Sequence, residues 1–432
     1  MFNIEKTCID SMKGFEEAFK DRPKLIEMYK KNFCLFFNKY AEMLSDGTMM
    51  PWPCGNIPAV WLRDGSQVAL HVLPFVNENE ELKGAVKAII ARLIKFIIVD
   101  PYANAFKKEP NPDTGWKDVY PSHPLVWERK YCIDDLTFPF WFAYRYYSIT
   151  KDASVFNDEF RLSLNKALEV FEIEQHHRED SEFRFQRLNC APEDTLVNEG
   201  LGAEIGYTGM VWSGFLPNDA AAKYGYIVAS NLFAVLMLEY MHEICNGIWN
   251  DSALAERVLK LKTEIYDGVM KYGVVEHPKY GRILAYDTDG LGNHQLLDDA
   301  LTPNLISLPY YKAIGYDDEL YQNTRRFLLS KDNPNYLVGK AASGMASVHI
   351  PGDFIWPLAM VMQAMTSCDI DEVDSILRML EITDNGTYLM HETINIDDPS
   401  IYSWDEFCMP SAMFCELIYR YANGILPSSK NK

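Results

Sequence analysis

Helical periodicity recurs along almost the whole chain, and long loops bearing Gly and Pro separate the helical stretches at every other connection. Over 9–45 the residues Phe15, Phe19, Leu25, Tyr29, Phe33 and Phe37 fall mostly three or four apart, which predicts a helix with one apolar face. The same period predicts helices over 66–73, 78–99, 161–176, 222–245, 253–272, 310–329, 354–366, 370–382 and 411–423. The stretch 134–147, DDLTFPFWFAYRYY, is apolar on most of its circumference and is predicted to line the inside of something. Ten or more helices joined this way predict an all-α fold of helical hairpins closed into a ring, with one inner and one outer layer. A helical solenoid is the second choice. A doubly wound α/β fold fits poorly, because there is no regular strand alternation and no GxGxxG. No low-complexity linker or tandem repeat interrupts the 432 residues, so a single domain over 1–432 is expected.

Composition narrows the function. A net charge of -20 repels phosphate backbones, so no nucleic-acid partner is expected. No uninterrupted apolar stretch of membrane-spanning length occurs and the first residues carry charges throughout, so neither membrane nor signal peptide is expected. The nine cysteines, an odd number without CxxC, fit buried free thiols in a reducing, cytoplasmic compartment better than a disulfide framework or a zinc ribbon. Aromatics reach 13%, enough for a ringed core and also for a cleft floored with rings.

Several polar segments combine carboxylates with Trp or Gly. Trp61-Leu62-Arg63-Asp64 precedes a predicted helix. Asp64 there is either a helix cap or, with Arg63 and Trp61, a grip on sugar hydroxyls. Asp134 and Asp135 open the next inner stretch; one is expected to cap it and the other to meet a ligand or donor. In TGMVWSGFLPND, 208–219, Trp212 and Phe215 are expected to wall Asp219 with apolar rings and hold a proton on it, with a helix cap as the bland alternative. The segment 287–294 has the composition of a calcium loop without EF-hand spacing or closing Glu, so it reads as a turn-rich cleft wall, followed by Asp298 and Asp299. Near the end stand His391-Glu392, then Asp405 and Glu406; HExxH is absent, since residue 395 is Asn. No ligand cluster with metal spacing and no GxSxG occurs, so no metal, no cofactor and no nucleophilic triad is expected. Many acids in aromatic loops fit glycosidic cleavage, which needs two carboxyls about one bond.

Taken in order, IPAVWLRDGSQV (57–68), DDLTFPF (134–140), TGMVWSGFLPND (208–219), YGYIVASNLFAV (224–235), DTDGLGNHQLLDDALTPNLISLPY (287–310), YQNTRRFLLS (321–330) and FIWPLAMVMQAMTS (354–367) resemble the metal-independent exo-α-1,6-mannosidases of glycoside hydrolase family 125. The resemblance spans almost the whole chain. It implies an (α/α)6 toroid, with the active site at one end, that removes terminal α-1,6-linked mannose from glycans with inversion and without metal. It implies Asp219 as general acid and Glu392 as general base. Arg63, Asp64, Asp298 and Asp299 would help hold the mannose-containing substrate, and Trp61, Asp134, Trp212, His349 and His391 complete the expected contacts.

The chain departs from the family pattern in places. Leu216 stands where the family carries Arg, and Ala220 where it carries a second Asp. Val348-His349-Ile350 replaces Pro-His-Thr, and Ser403-Trp404-Asp405-Glu406-Phe407 replaces Thr-Arg-x-Trp-Phe. Each lost arginine gives up a charge-assisted bond of roughly 1.5–3 kcal/mol. An altered subsite at Leu216 and Ser403-Trp404 is therefore expected. Altered glycoside specificity, or a catalytically silent carbohydrate-binding protein, stays open beside the mannosidase.

Overall fold

The computed structural model describes residues 4–428. The chain alternates outer and inner helices six times. The outer ones are Pro23–Leu35, Glu80–Val99, Asp158–Glu174, Ser252–Tyr272, Glu319–Leu328 and Ile370–Ile382. The inner ones are Leu62–Gln67 with its 3-10 continuation Leu70–Phe75, Ile133–Thr150, Val228–Gly247, the 3-10 turn Leu305–Ser307 running into Leu308–Tyr311, Pro357–Met365 and Cys408–Ala422. Each inner helix packs on the next, and the last returns to the first, so the inner ring closes. This is the six-hairpin toroid expected from the sequence.

Burial explains which helix goes where. Every residue of Leu62–Gln67 and Pro357–Met365 is buried, as a helix enclosed on all sides requires. The outer helix Ser252–Tyr272 buries Leu254, Val258, Leu261, Ile265 and Val269 along one stripe and leaves its other face wet. Its N-cap Asp251 accepts the Leu254 amide at 3.0 Å. Inner-to-outer connections are short turns, such as 248–251 and 366–369. Outer-to-inner connections are long, such as 100–132 and 175–227, and carry all the short antiparallel strands. The long loops therefore gather at one end of the toroid, where the inner helices begin.

Several sequence boundaries move. The stretch 9–45 is not one helix: Gly14 takes a left-handed φ of 82°, Pro23 starts a new helix, and Phe36–Tyr40 is a π turn leading into a hairpin, Ala41–Met43 with Met49–Pro51. The expected helix over 66–73 begins earlier, at Leu62, which puts Arg63 and Asp64 inside its first turn rather than ahead of it. Among the described residues no helix is long and apolar enough to cross a membrane.

Candidate active site

A cavity of about 530 Å³ opens among the long loops. Trp61, Arg63, Asp64, Asp219, His349 and Glu392, all named from the sequence, line it. Its floor is built on Arg63. The strand Val60–Trp61 pairs with Ala105–Phe106 and feeds directly into the helix Leu62–Gln67. Arg63 Nη1 lies 3.2 Å from Asp134 Oδ2 and 3.1 Å from Asp135 Oδ2, Nε lies 3.3 Å from Asp64, and Nη2 lies 3.5 Å from Asp219. The Arg63 amide also donates to Asp135 Oδ1 at 2.8 Å. One guanidinium thus faces four carboxylates, away from water. Burial pushes Asp64 and Asp134 up to about 6, and Asp135 well above its ordinary value, despite Arg63 pulling the other way. Neither Asp134 nor Asp135 caps a helix; both sit in the first turn of Ile133–Thr150 as partners of Arg63. Asp134 is thereby held under the floor, fully buried, rather than on the cavity wall.

Asp219 owes its position to a tight hairpin. Phe215 and Ala221 bridge, the Leu216 amide donates to the Ala220 carbonyl at 2.8 Å, and the Asp219 amide donates to the Leu216 carbonyl at 2.9 Å. Pro217 takes the second turn position, where its fixed φ fits, and Asp219 takes the left-handed position with φ 63°. Asn218 anchors the hairpin by donating to Asp299 Oδ2 at 2.8 Å and Ser347 Oγ at 3.1 Å. Lys130 Nζ clamps it from the other side, donating to the Asp219 carbonyl at 2.7 Å and to Asp194 Oδ1 at 2.9 Å. Asn104 Nδ2 donates to Glu128 Oε2 at 2.9 Å and to Asp219 Oδ1 at 3.3 Å.

The apolar walls expected around Asp219 are absent: it faces Arg63 and Asn104. Trp212 instead lies in the core, stacked on His177 with 3.4 Å between ring centroids, and Gly202, Gly214 and Gly225 close around it. It lines no part of the cavity because the loop is folded about it.

Glu392 precedes the strand Thr393–Asn395, the middle of a three-stranded sheet with Phe354–Ile355 and Tyr402–Ser403. Ser403 Oγ donates to Glu392 Oε2 at 2.8 Å. Burial pushes Glu392 up to about 7, Ser403 pulls it back, and the charge of Asp64 adds to the rise. Asp64 in turn feels Asp219. The two rivals for the base role stand apart: Glu406 pairs with Lys39 and accepts from Tyr40 at 2.5 Å, Asp405 is exposed, and neither lines the cavity.

Other expected contacts support the site from behind. Asp298 accepts the amides of Leu305 and Ile306 at 3.0 and 3.1 Å and fixes the entry to the fourth inner helix. Asp299 holds Asn218. His391 stacks on Tyr402 at 3.8 Å and meets the Thr387 hydroxyl and the Asp384 and Trp404 carbonyls. The segment 287–294 is a hairpin turn in which Asp289 accepts from Leu291, Asn293 and the Asn293 amide side chain; it forms no cavity wall. Leu216 and Ala220 pack with Ile227 and Tyr286 in a small apolar cluster, so the altered subsite expected at Leu216 is not in contact with the cavity. Trp404 is.

Sequence reading missed Trp116, Glu128, Lys130, Arg187 and Trp356, which complete the wall. Arg187 bonds Glu128 and Asp118 at 2.9 Å and lies over the Trp116 ring. The strand Val126–Glu128 carries the one available signal, a WERK run mixing an aromatic with charges in a long loop. The buried indole nitrogens of Trp61 and Trp356 have no hydrogen-bond partner in the protein, and both residues line the cavity. Among the described residues one trio, Cys132, Asp135 and Asp219, brings possible metal-ligand atoms within 4.8 Å of one another, but Arg63 already supplies the cation there.

Comparison with known proteins agrees with this geometry. The family model described as "Metal-independent alpha-mannosidase (GH125)" matches residues 25–419. A metal-independent α-mannosidase of Streptococcus pneumoniae, solved in a non-productive substrate complex with α-1,6-mannobiose, is 34% identical and superposes with a TM-score of 0.93 over 97% of each chain. The meiotically up-regulated gene 157 protein of Schizosaccharomyces pombe is 31% identical over 382 residues, 84% of this chain and 75% of that protein. A bacterial glucoamylase complexed with acarbose shares the fold alone, at 13% identity and a TM-score of 0.52, over 84% of this chain and 49% of that one.

Proposed function

This chain belongs to the metal-independent α-mannosidases of family GH125 and is a glycosidase, and from that membership we propose that it removes terminal α-1,6-linked mannose from a mannose-containing glycan with inversion. The observation that carries this reading is that Asp219 and Glu392, far apart in sequence, line one cavity, with Asp64 in electrostatic reach of both.

The terminal mannose enters to the floor, where Arg63 and Asp64 meet its hydroxyls and the rings of Trp61 and Trp356 wall it. His349, accessible from the cavity and within the field of Asp219, completes the cradle. Asp219 gives its proton to the departing glycosidic oxygen. Glu392 takes a proton from the water that attacks the anomeric carbon, and Ser403 keeps the receiving carboxylate aimed. Inversion calls for a carboxyl separation of roughly 6.5–9.5 Å, enough for that water. Beside Asp219, burial raises the carboxyls of Asp64, Asp134 and Asp135 against the pull of Arg63. The buried thiols of Cys8, Cys132, Cys245, Cys408 and Cys415 support a reducing, cytoplasmic setting.

The test uses α-1,6-mannobiose and activated aryl α-mannosides with purified protein, following the anomeric configuration of the first mannose released by proton NMR. β-Mannose is the expected first product. Asp219→Ala should lose most turnover on mannobiose and far less on the aryl substrates, whose leaving groups need little acid assistance; Glu392→Gln should lose both. Retained configuration, or the opposite pattern of the two variants, refutes the mechanism. Binding without hydrolysis by the unmodified chain would make it a silent sugar-binding member.

A further inference from the structure

We propose that Trp404 is the platform for the sugar on the leaving-group side of the scissile bond, so that this chain reads a second pyranose ring at the mouth of its cavity; the inference rests on the reading of the chain as an exo-acting mannosidase.

The cavity ends on the buried pair Arg63 and Asp64. A terminal sugar seated there would extend the rest of its glycan toward the exposed part of the lining. Trp404 lines the same cavity and yet is 50% exposed, an indole with much of its apolar face in water. Covering that face is favourable, and a pyranose offers a flat patch of C–H groups to cover it with.

Backbone strain points the same way. Trp404 has φ 46°, a left-handed conformation that a bulky residue rarely takes. It persists because its surroundings over-determine it. The Ser403 carbonyl accepts the Glu392 amide at 3.2 Å, and the Trp404 carbonyl meets His391 Nδ1 at 3.3 Å. His391 is itself fixed against Thr387, Asp384 and the Tyr402 ring. The backbone that carries the indole is thus pinned at the rim. It also stands one residue from Ser403, the hydroxyl that aims Glu392, so ring platform and base share a single rigid strand end. This gives His391, which does not line the cavity, a positioning role toward the rim.

The experiment compares kcat/KM on α-1,6-mannobiose with kcat/KM on α-mannosyl fluoride, whose leaving group has no ring to stack. In Trp404→Ala the ratio of the first to the second should fall about tenfold, and in Trp404→Phe most of the ratio should return. Trp404→Asn, which tolerates the left-handed backbone, should unfold at a higher temperature than the unmodified protein while losing the same ratio. A parallel arm measures binding by calorimetry in a Glu392→Gln background. There Trp404→Ala should weaken mannobiose binding and leave the affinity for mannose in place. An unchanged ratio, or equal losses of mannobiose and mannose affinity, overturns the proposal. If neither substrate is hydrolysed by the unmodified chain but the binding difference persists, the subsite stands and the exo-mannosidase reading falls.

Discussion

Removing one hydroxyl should move the acid limb of the pH profile upward. Glu392 sits at about 7, raised chiefly by burial and held back by the hydroxyl of Ser403. Ser403→Ala deletes that 2.8 Å hydrogen bond to the carboxylate. A hydrogen bond to a charged group contributes roughly 1.5–3 kcal/mol, and one pKa unit corresponds to about 1.4 kcal/mol, so the carboxyl should rise by about 1–2 units. Asp64→Asn works in the opposite sense, because the Asp64 charge adds to the elevation of Glu392; its acid limb should move down even though substrate binding weakens. A base must be ionised to accept the water's proton, so Glu392 governs the acid limb of kcat/KM, which reports the free enzyme. The assay is the pH dependence of kcat/KM on an activated aryl α-mannoside for the three proteins. If the acid limb of Ser403→Ala stays in place or falls, the assignment of Glu392 as base is wrong. If the alkaline limb moves instead, Glu392 is the proton donor and the two roles are exchanged.

Lys130→Met releases the carbonyl of Asp219, and the misplaced acid should lower kcat about 10- to 100-fold on mannobiose but much less on activated aryl mannosides; equal losses would mean mere structural damage. Arg63→Met strands the three buried carboxylates of Asp64, Asp134 and Asp135 and should cost about 3–5 kcal/mol in denaturant unfolding. Asp64 and Asp134 have folded values of about 6, above their ordinary 3.8, so the stability they favour is present below pH 3.8 and lost as pH rises through 6; the Arg63→Met deficit should accordingly be larger at pH 8 than at pH 5. Gly225→Ala places a methyl 2.5 Å from the Trp212 indole at a φ of +86° and should destabilise by roughly 2–5 kcal/mol, read as a lower thermal midpoint. Treatment with EDTA should leave hydrolysis of α-mannosides unchanged, and loss of activity restored by a single divalent ion would refute this.

The ring was legible because its two kinds of helix carry different patterns. A stripe such as Leu254, Val258, Leu261, Ile265 and Val269 can face only one way, whereas 133–150 is apolar nearly all round and has to be enclosed. The family resemblance then implied a site at one end, where the structure gathers the long loops. Boundaries were less legible where a left-handed glycine or a proline breaks an apolar stripe without changing its period, as at Gly14 and Pro23. Within the site, Asp219 and Glu392 were reachable through the family resemblance, but their environments were not. Trp212 lies seven residues before Asp219 and faces away from it, because a hairpin turns the chain between them. Lys130 and Glu128 come from a long connection whose WERK run names no partner, and only the closed toroid sets them beside Asp219.

The same topology explains how so acidic a floor can exist. Inner helices all begin at the loop end, so the first turns of Leu62–Gln67 and Ile133–Thr150 converge on Arg63, and their unpaired amides and positive dipole ends favour negative charge there. One arginine and two helix starts still fall short of neutralising Asp64, Asp134, Asp135 and Asp219. Burial, more than the neighbouring charges, raises Asp64, Asp134 and Asp135, so these carboxyls hold protons more readily than exposed ones. A proton becomes a catalyst only where it can leave and return. Asp134 and Asp135 are sealed beneath Arg63, while Asp219 is the most exposed carboxylate of the four and opens on the cavity. In the proposed mechanism Asp219 is therefore the member placed to hand a proton to a departing oxygen. On this view Asp135→Asn, which leaves the cavity wall untouched but alters a partner of Arg63, should lower kcat on mannobiose more than on activated aryl mannosides, and equal losses on both would refute it.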